Sequence, residues 1–96
     1  MAKAYWVTTY KAVLKPDNLA AYAKLAGPAI EGGGGRFIVR GNPAKVYENG
    51  IAQRVVVIEF DSIEQAIATH DSPGYKAALD ALADGADRDI RIVEGA

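Results

Sequence analysis

Two arginines bracket a short apolar stretch in GGGGRFIVRG, residues 32–41. Each guanidinium of Arg36 and Arg40 offers a planar fork of N–H donors suited to a carboxylate. At roughly 3.3 Å per residue, their spacing sets them about 13 Å apart on one face of a strand. Glu59 lies near the end of the otherwise apolar run VVVIEF. Burial there would raise its proton affinity and suit it to act as a general base. Histidine is the side chain that ordinarily titrates near neutrality, and His70, the one histidine, can act as acid, base or ligand contact. Tyr75, in the SPGY segment, can turn its hydroxyl to the same pocket, and Trp6 can stack on a planar ligand. Each of these six has a structural alternative. The arginines can pair with Glu59, Glu94 or an acid of a second copy. His70 can serve as a cation at a helix C-terminus. Trp6 and Tyr75 can be core or interface anchors. Tyr10, Tyr22 and Tyr47 read as structural.

The rest of the composition narrows the chemistry. With no cysteine and one histidine, no thiolate metal site, cysteine nucleophile or multi-histidine centre is expected within one chain. The glycines at 32–35 sit between a helix and a strand, with no GK[ST] behind them, so they are a helix stop and not a phosphate loop. No cofactor is expected. A net charge of −1, with Lys and Arg scattered along the chain, argues against nucleic acid and anionic membrane surfaces. The N-terminal segment has no apolar signal core, and no apolar run approaches about 18 residues, so a cytoplasmic protein without membrane spans is expected.

These candidates must be held in place by a small fold. Residues 1–96 fit one domain. AYWVTTYKAV at 4–13 is rich in aromatic and β-branched residues and predicts a strand. Pro16, Asp17 and Asn18 suit a helix start, and Leu19, Tyr22, Ala23, Ala26 and Ile30 recur at helical spacing. Pro28 within that pattern predicts a kink or an early stop. Residues 36–40 form a strand, and Asn49-Gly50 predicts a hairpin turn between KVYE and IAQR. QRVVVIEF at 53–60 reads as a central strand covered on both faces. Ser62 with Gln65 has the form of a capping box. A second helix stops near His70, and Ser72-Pro73 restarts it with Tyr75, Ala78, Leu79 and Leu82 as its buried stripe. DIRIVE, 89–94, is the last strand. The order is β-α-β-β-α-β with a broken second helix, an α+β ferredoxin-like unit with helices on one face of an antiparallel sheet.

Two helical segments can cover only one face of that four-stranded sheet. Alternation assigns Phe37, Val39, Val56, Ile58, Phe60, Ile90 and Ile92 to the helix side. It assigns Arg36, Ile38, Arg40, Val55, Val57, Glu59, Arg91 and Val93 to the open side. A patch of this kind marks an interface, and a two-fold pairing of sheet on sheet would bury it. A homodimer is expected.

The chain resembles the DUF1330 family of domains of unknown function. The matching pieces are AYWV at 4–7, Tyr22, GGRFIVRG at 34–41, VVVIEF at 55–60, SPGY at 72–75 and IVEG at 92–95. The resemblance implies a ferredoxin-like fold pairing as a dimeric α/β barrel, and no established activity. Asp61 stands where the family tends to have proline, and His70 where it often has tyrosine. The wider superfamily includes cofactor-free monooxygenases, small isomerases and haem-handling enzymes. The expectation is a homodimer that binds a small anionic or polar-aromatic compound, with Arg36 and Arg40 orienting it. In that reading His70, with Glu59 or Tyr75, handles any proton transfer in a cofactor-free reaction. The rival expectation is a non-catalytic dimerisation or ligand-sensing module whose charges are structural.

Overall fold

A computed structural model describes residues 2–96. The elements are β1 (Ala4–Val13), α1 (Pro16–Gly32), β2 (Arg36–Gly41), β3 (Val55–Phe60), α2 (Ile63–His70), α3 (Pro73–Leu82) and β4 (Ala86–Glu94). The four strands form one antiparallel sheet in the order β2-β3-β1-β4. This is the α+β ferredoxin-like arrangement, with the second helix split into α2 and α3.

The core lies between the helices and one face of the sheet. Alternate residues of β1 (Ala4, Trp6, Thr8, Tyr10) and β3 (Val56, Ile58, Phe60) are buried there. They meet Tyr22, Ala26 and Ile30 of α1 and Tyr75, Ala78 and Leu82 of α3. Burying each large apolar side chain contributes roughly 1.5–3 kcal/mol. The helix starts follow their caps. The Ser62 hydroxyl accepts from the Gln65 N–H at 3.1 Å, and the Ser72 hydroxyl from the Tyr75 N–H at 3.3 Å. Gln65 completes the box one residue early, accepting from the Asp61 N–H.

The glycine run is a tight passage. Gly34 has φ +94°, which other residues rarely adopt, and a Cβ on Gly35 would lie 2.6 Å from Ile30.

Four expectations need correction. First, α1 does not stop early at Pro28. Ala26 and Ile30, on either side of it, are both buried, and their packing holds the turn that proline weakens. Second, no hairpin strands form around Asn49-Gly50. A turn does form one residue earlier, with the Gly50 N–H bonded to the Tyr47 carbonyl and Glu48 at φ 54°. Val46, Tyr47 and Ile51 beside it stay exposed, and strands that bury nothing are not stable.

Third, β3 begins at Val55, and within the described chain only one of its faces is covered. Fourth, and with most effect on the site, β2 is bulged. Phe37 pairs with Ile58, but Val39 pairs with Val57 and Arg40 with Val56. Ile38 is the extra residue, and it flips the parity of the strand beyond it. Val39 therefore joins the open face, and Arg40 joins the helix face.

Candidate functional site

The bulge places Arg40 at a cavity between α1 and the sheet. The cavity measures about 80 Å³. Trp6, Thr8, Val56 and Ile58 line its sheet side, and Tyr22, Ala26 and Ile30 its helix side. Three arginines reach it: Arg40 of β2, Arg54 just before β3, and Arg88 of β4. Among the described residues that line it, none is a carboxylate or a histidine.

Arg88 is the most enclosed of the three. It is opposite Tyr10 across β1–β4, and the Tyr10 N–H bonds to the Arg54 carbonyl at 3.1 Å on the other side. Arg54, Tyr10 and Arg88 thus form one row across three strands. The Arg88 guanidinium donates to the hydroxyls of Tyr10 (3.1 Å), Tyr22 (3.1 Å) and Tyr75 (3.2 Å). Its carbon also stands 4.5 Å from the Tyr22 ring centre, within cation–π range. The Tyr22 and Tyr75 hydroxyls bond each other at 2.7 Å.

Burial opposes the charge on Arg88, but the phenol oxygens of Tyr22, Tyr75 and Tyr10 more than compensate, and its proton affinity stays above the ordinary value. Burial pushes the Tyr75 phenol well above its usual range, with the Tyr22 contact adding to the shift, so Tyr75 is neutral. Three of the guanidinium's five N–H donors are taken by tyrosines. Two remain, the number a carboxylate takes in a bidentate pair.

The six candidates fall into three places. Arg40 and Trp6 line the cavity, with the Arg40 guanidinium 4.8 Å over the Phe37 ring. Trp6 is buried, and its indole N–H bonds to Thr8 at 3.0 Å. Tyr75 and His70 lie behind Trp6. Tyr75 packs edge-on to the indole at 4.8 Å and supports Arg88. His70 ends α2, with its ring 5.3 Å from Trp6 and 5.1 Å from Tyr75, and its Nδ1 contacts Asp71 at 3.2 Å.

Arg36 and Glu59 are on the opposite face. Arg36 bonds Glu59 and Asp61, each at 3.0 Å. Tyr5 donates to the other Glu59 oxygen at 3.2 Å, and Lys3 holds Asp61 at 2.9 Å. Asp61 thus builds a charge cluster on the open face. The expectation that Arg36 and Arg40 share a face is corrected: the bulge separates them.

Sequence reading missed Arg88, Arg54, Tyr10 and Tyr22 as site residues. The signal for Arg88 was present. Carried one residue back from DIRIVE, the alternation puts Arg88 in phase with Ile90 and Ile92. Arg54 is likewise in phase with Val56, Ile58 and Phe60.

Comparison with solved structures supports the architecture. A protein of unknown function from Rhodopseudomonas palustris aligns with a TM-score of 0.73 at 17% identity, over 99% of this chain and 83% of its own. SnoaB, a cofactor-independent oxygenase from Streptomyces nogalater, aligns with a TM-score of 0.67 at 11% identity, over 100% and 95%. A dimeric ferredoxin-like protein of unknown function from Thermobifida fusca gives 0.54 at 16%, over 98% and 92%. At these identities the likeness is one of fold. None of the curated proteins compared with the chain matches its sequence. The bulged RFIVRG strand, the SPGY helix start and the final IVEG strand fall within residues 3–96, which match the Domain of unknown function (DUF1330), and the chain belongs to that family.

Proposed function

We propose that the protein binds a small carboxylate in the cavity between α1 and the sheet, with Arg88 as its anchor and Arg40 at its mouth. One observation carries this reading. Arg40, Arg54 and Arg88 all line the cavity and have no carboxylate partner among the described residues. A guanidinium drawn partly out of water without a counter-charge, as those of Arg54 and Arg88 are, is costly, and an incoming anion relieves that cost. Both α1 and β2 contribute to the mouth, where Ala23 and Arg40 are exposed.

The geometry favours binding or sensing over acid–base turnover. The proton-transfer candidates His70 and Glu59 stand outside the cavity lining, whose ionisable groups are arginines and tyrosines. We also propose a homodimer formed through the open face. Val39, Val57 and Val7 lie side by side across β2, β3 and β1, and Ile38, Val39 and Val93 are about half exposed. The Thermobifida fusca relative of this fold is described as dimeric.

Thermal melting of the full chain with saturating monocarboxylates tests the cavity. A ligand at 100 times its Kd stabilises by about 2.7 kcal/mol, roughly 10 °C or more for a domain of this size. That shift is expected in the wild type and in Arg36→Gln, and is expected to vanish in Arg88→Met. Equal shifts in the wild type and Arg88→Met would refute the anchor.

A further inference from the structure

We infer that the ligand is a short dicarboxylate, with one acid on Arg88 and the other between Arg40 and Arg54. This rests on the anion-binding reading above and narrows it. A monocarboxylate on Arg88 would leave two further guanidinium groups at the cavity with no counter-charge among the described residues.

Arg88 and Arg40 mark two poles of the site, with Arg54 between them. Arg88 comes from β4 and Arg40 from β2, the opposite edges of the sheet. At about 4.8 Å per strand, their backbones stand roughly 14 Å apart. Arg54 immediately precedes β3, one strand from Arg40 and two from Arg88, on the far side of Tyr10 from Arg88. Thr8, Val56 and Ile58 lie on the strands between the poles and present neutral side chains to the cavity. They suit a methylene spacer.

Size selects among spacers. A cavity of about 80 Å³ is smaller than the roughly 150 Å³ that encloses a benzene ring. It holds a carboxylate and a few methylenes, and the far acid emerges at the exposed rim where Arg40 stands. The two unused N–H donors of Arg88 fit the inner acid. The rim pair differs in kind. Arg40 is exposed and stacked on Phe37, so it gains an anion without leaving water fully. A chain of about four to six carbons spans such a site.

Calorimetric titration of the full chain separates this inference from its parent. The probes are succinate, glutarate and adipate, monocarboxylates of equal length, and inorganic phosphate. The best diacid is expected to bind at least about tenfold tighter than the monoacid of its length. Arg40→Met should erase that advantage, weakening the best diacid by at least about tenfold and the monoacid of its length by clearly less. Because Arg40 is exposed, this variant is expected to fold, and circular dichroism verifies it. Monoacids binding as tightly as diacids at every length overturn the dicarboxylate inference and leave the anchor standing. Phosphate binding tighter than every diacid overturns it too, in favour of one compact dianion. Failure of all these anions to bind overturns both readings.

Discussion

The two faces of the sheet treat arginine in opposite ways. On the open face, Arg36 is held by Glu59 and Asp61, and Arg91 by Asp89. On the helix face, Arg40 stacks on Phe37 and Arg88 meets three phenols, and neither they nor Arg54 pair with a carboxylate among the described residues. Water reaches the first set and screens its charges, so those pairs add little to stability. The second set surrounds a cavity, where an unmatched charge is felt more strongly. A guanidinium already paired within the chain is chemically satisfied. One with free donors facing a cavity is a demand for an anion. The difference lies in who supplies the counter-charge: the chain itself on one face, and a ligand on the other.

The apolar residues of β3 test the same division, with the largest expected effect. Ile58 is almost wholly buried on the helix face, while Val57, its neighbour in sequence, lies on the open face. Ile58→Ala is expected to cost about 2–5 kcal/mol in denaturant unfolding, at every protein concentration. Val57→Asp puts a charge in the middle of the Val39–Val57–Val7 row. It is expected to convert a dimer to a monomer in sedimentation and to make any loss of stability depend on protein concentration. A wild type that sediments as a monomer would remove the dimer and leave the open face as plain surface.

Much of the fold was legible because alternation and capping are local signals. β1 occupies the expected residues, Ser62 and Ser72 cap their helices, and Tyr75, Ala78 and Leu82 are buried as their spacing requires. Errors arose where a distant contact decides a local outcome. A bulge is one extra residue that only the pairing with β3 reveals, and it carried Arg40 from one face to the other. Pro28 survives inside α1 because residues on both sides of it are packed.

The site was half legible. Trp6, Tyr75 and Arg40 were singled out, but the charged centre was not. Arg88 lies near the start of β4, where acidic neighbours Asp87 and Asp89 hide the alternation. Nothing local tells that three tyrosines from β1, α1 and α3 converge on it. That convergence is tertiary, since Tyr10 and Arg88 are 78 positions apart in the chain.

The tyrosine cluster gives a smaller effect with a definite sign. Burial raises the Tyr75 phenol above its ordinary value, near 10. The stability this contributes is complete below that ordinary value. Above it the unfolded chain sheds the proton while the folded one retains it, so stability falls as pH rises further. Melting between pH 8 and 11 should show this alkaline loss in the wild type and a shallower loss in Tyr75→Phe. Identical alkaline slopes would mean the phenol is not held neutral by its surroundings.

The smallest effect separates the two kinds of arginine by sign. The hydrogen bonds and charges of Lys3 and Arg36 hold the Asp61 carboxyl below its usual range. Stability from such a group is present above the ordinary carboxylate pKa and is lost as pH falls through the depressed folded value. Arg36→Gln removes part of it, so the variant should melt slightly lower than the wild type at neutral pH. The gap should close in acid and in high salt. Arg54→Gln removes a cation from a row it shares with Arg88 and breaks no ion pair. In ligand-free protein at low salt, this variant should melt no lower than the wild type, because like-charge repulsion across Tyr10 is relieved. Salt should narrow that difference as well, from the other side. If both substitutions lower the melting temperature and respond to salt alike, the helix-face arginines are matched by the chain after all, and the contrast between the faces fails.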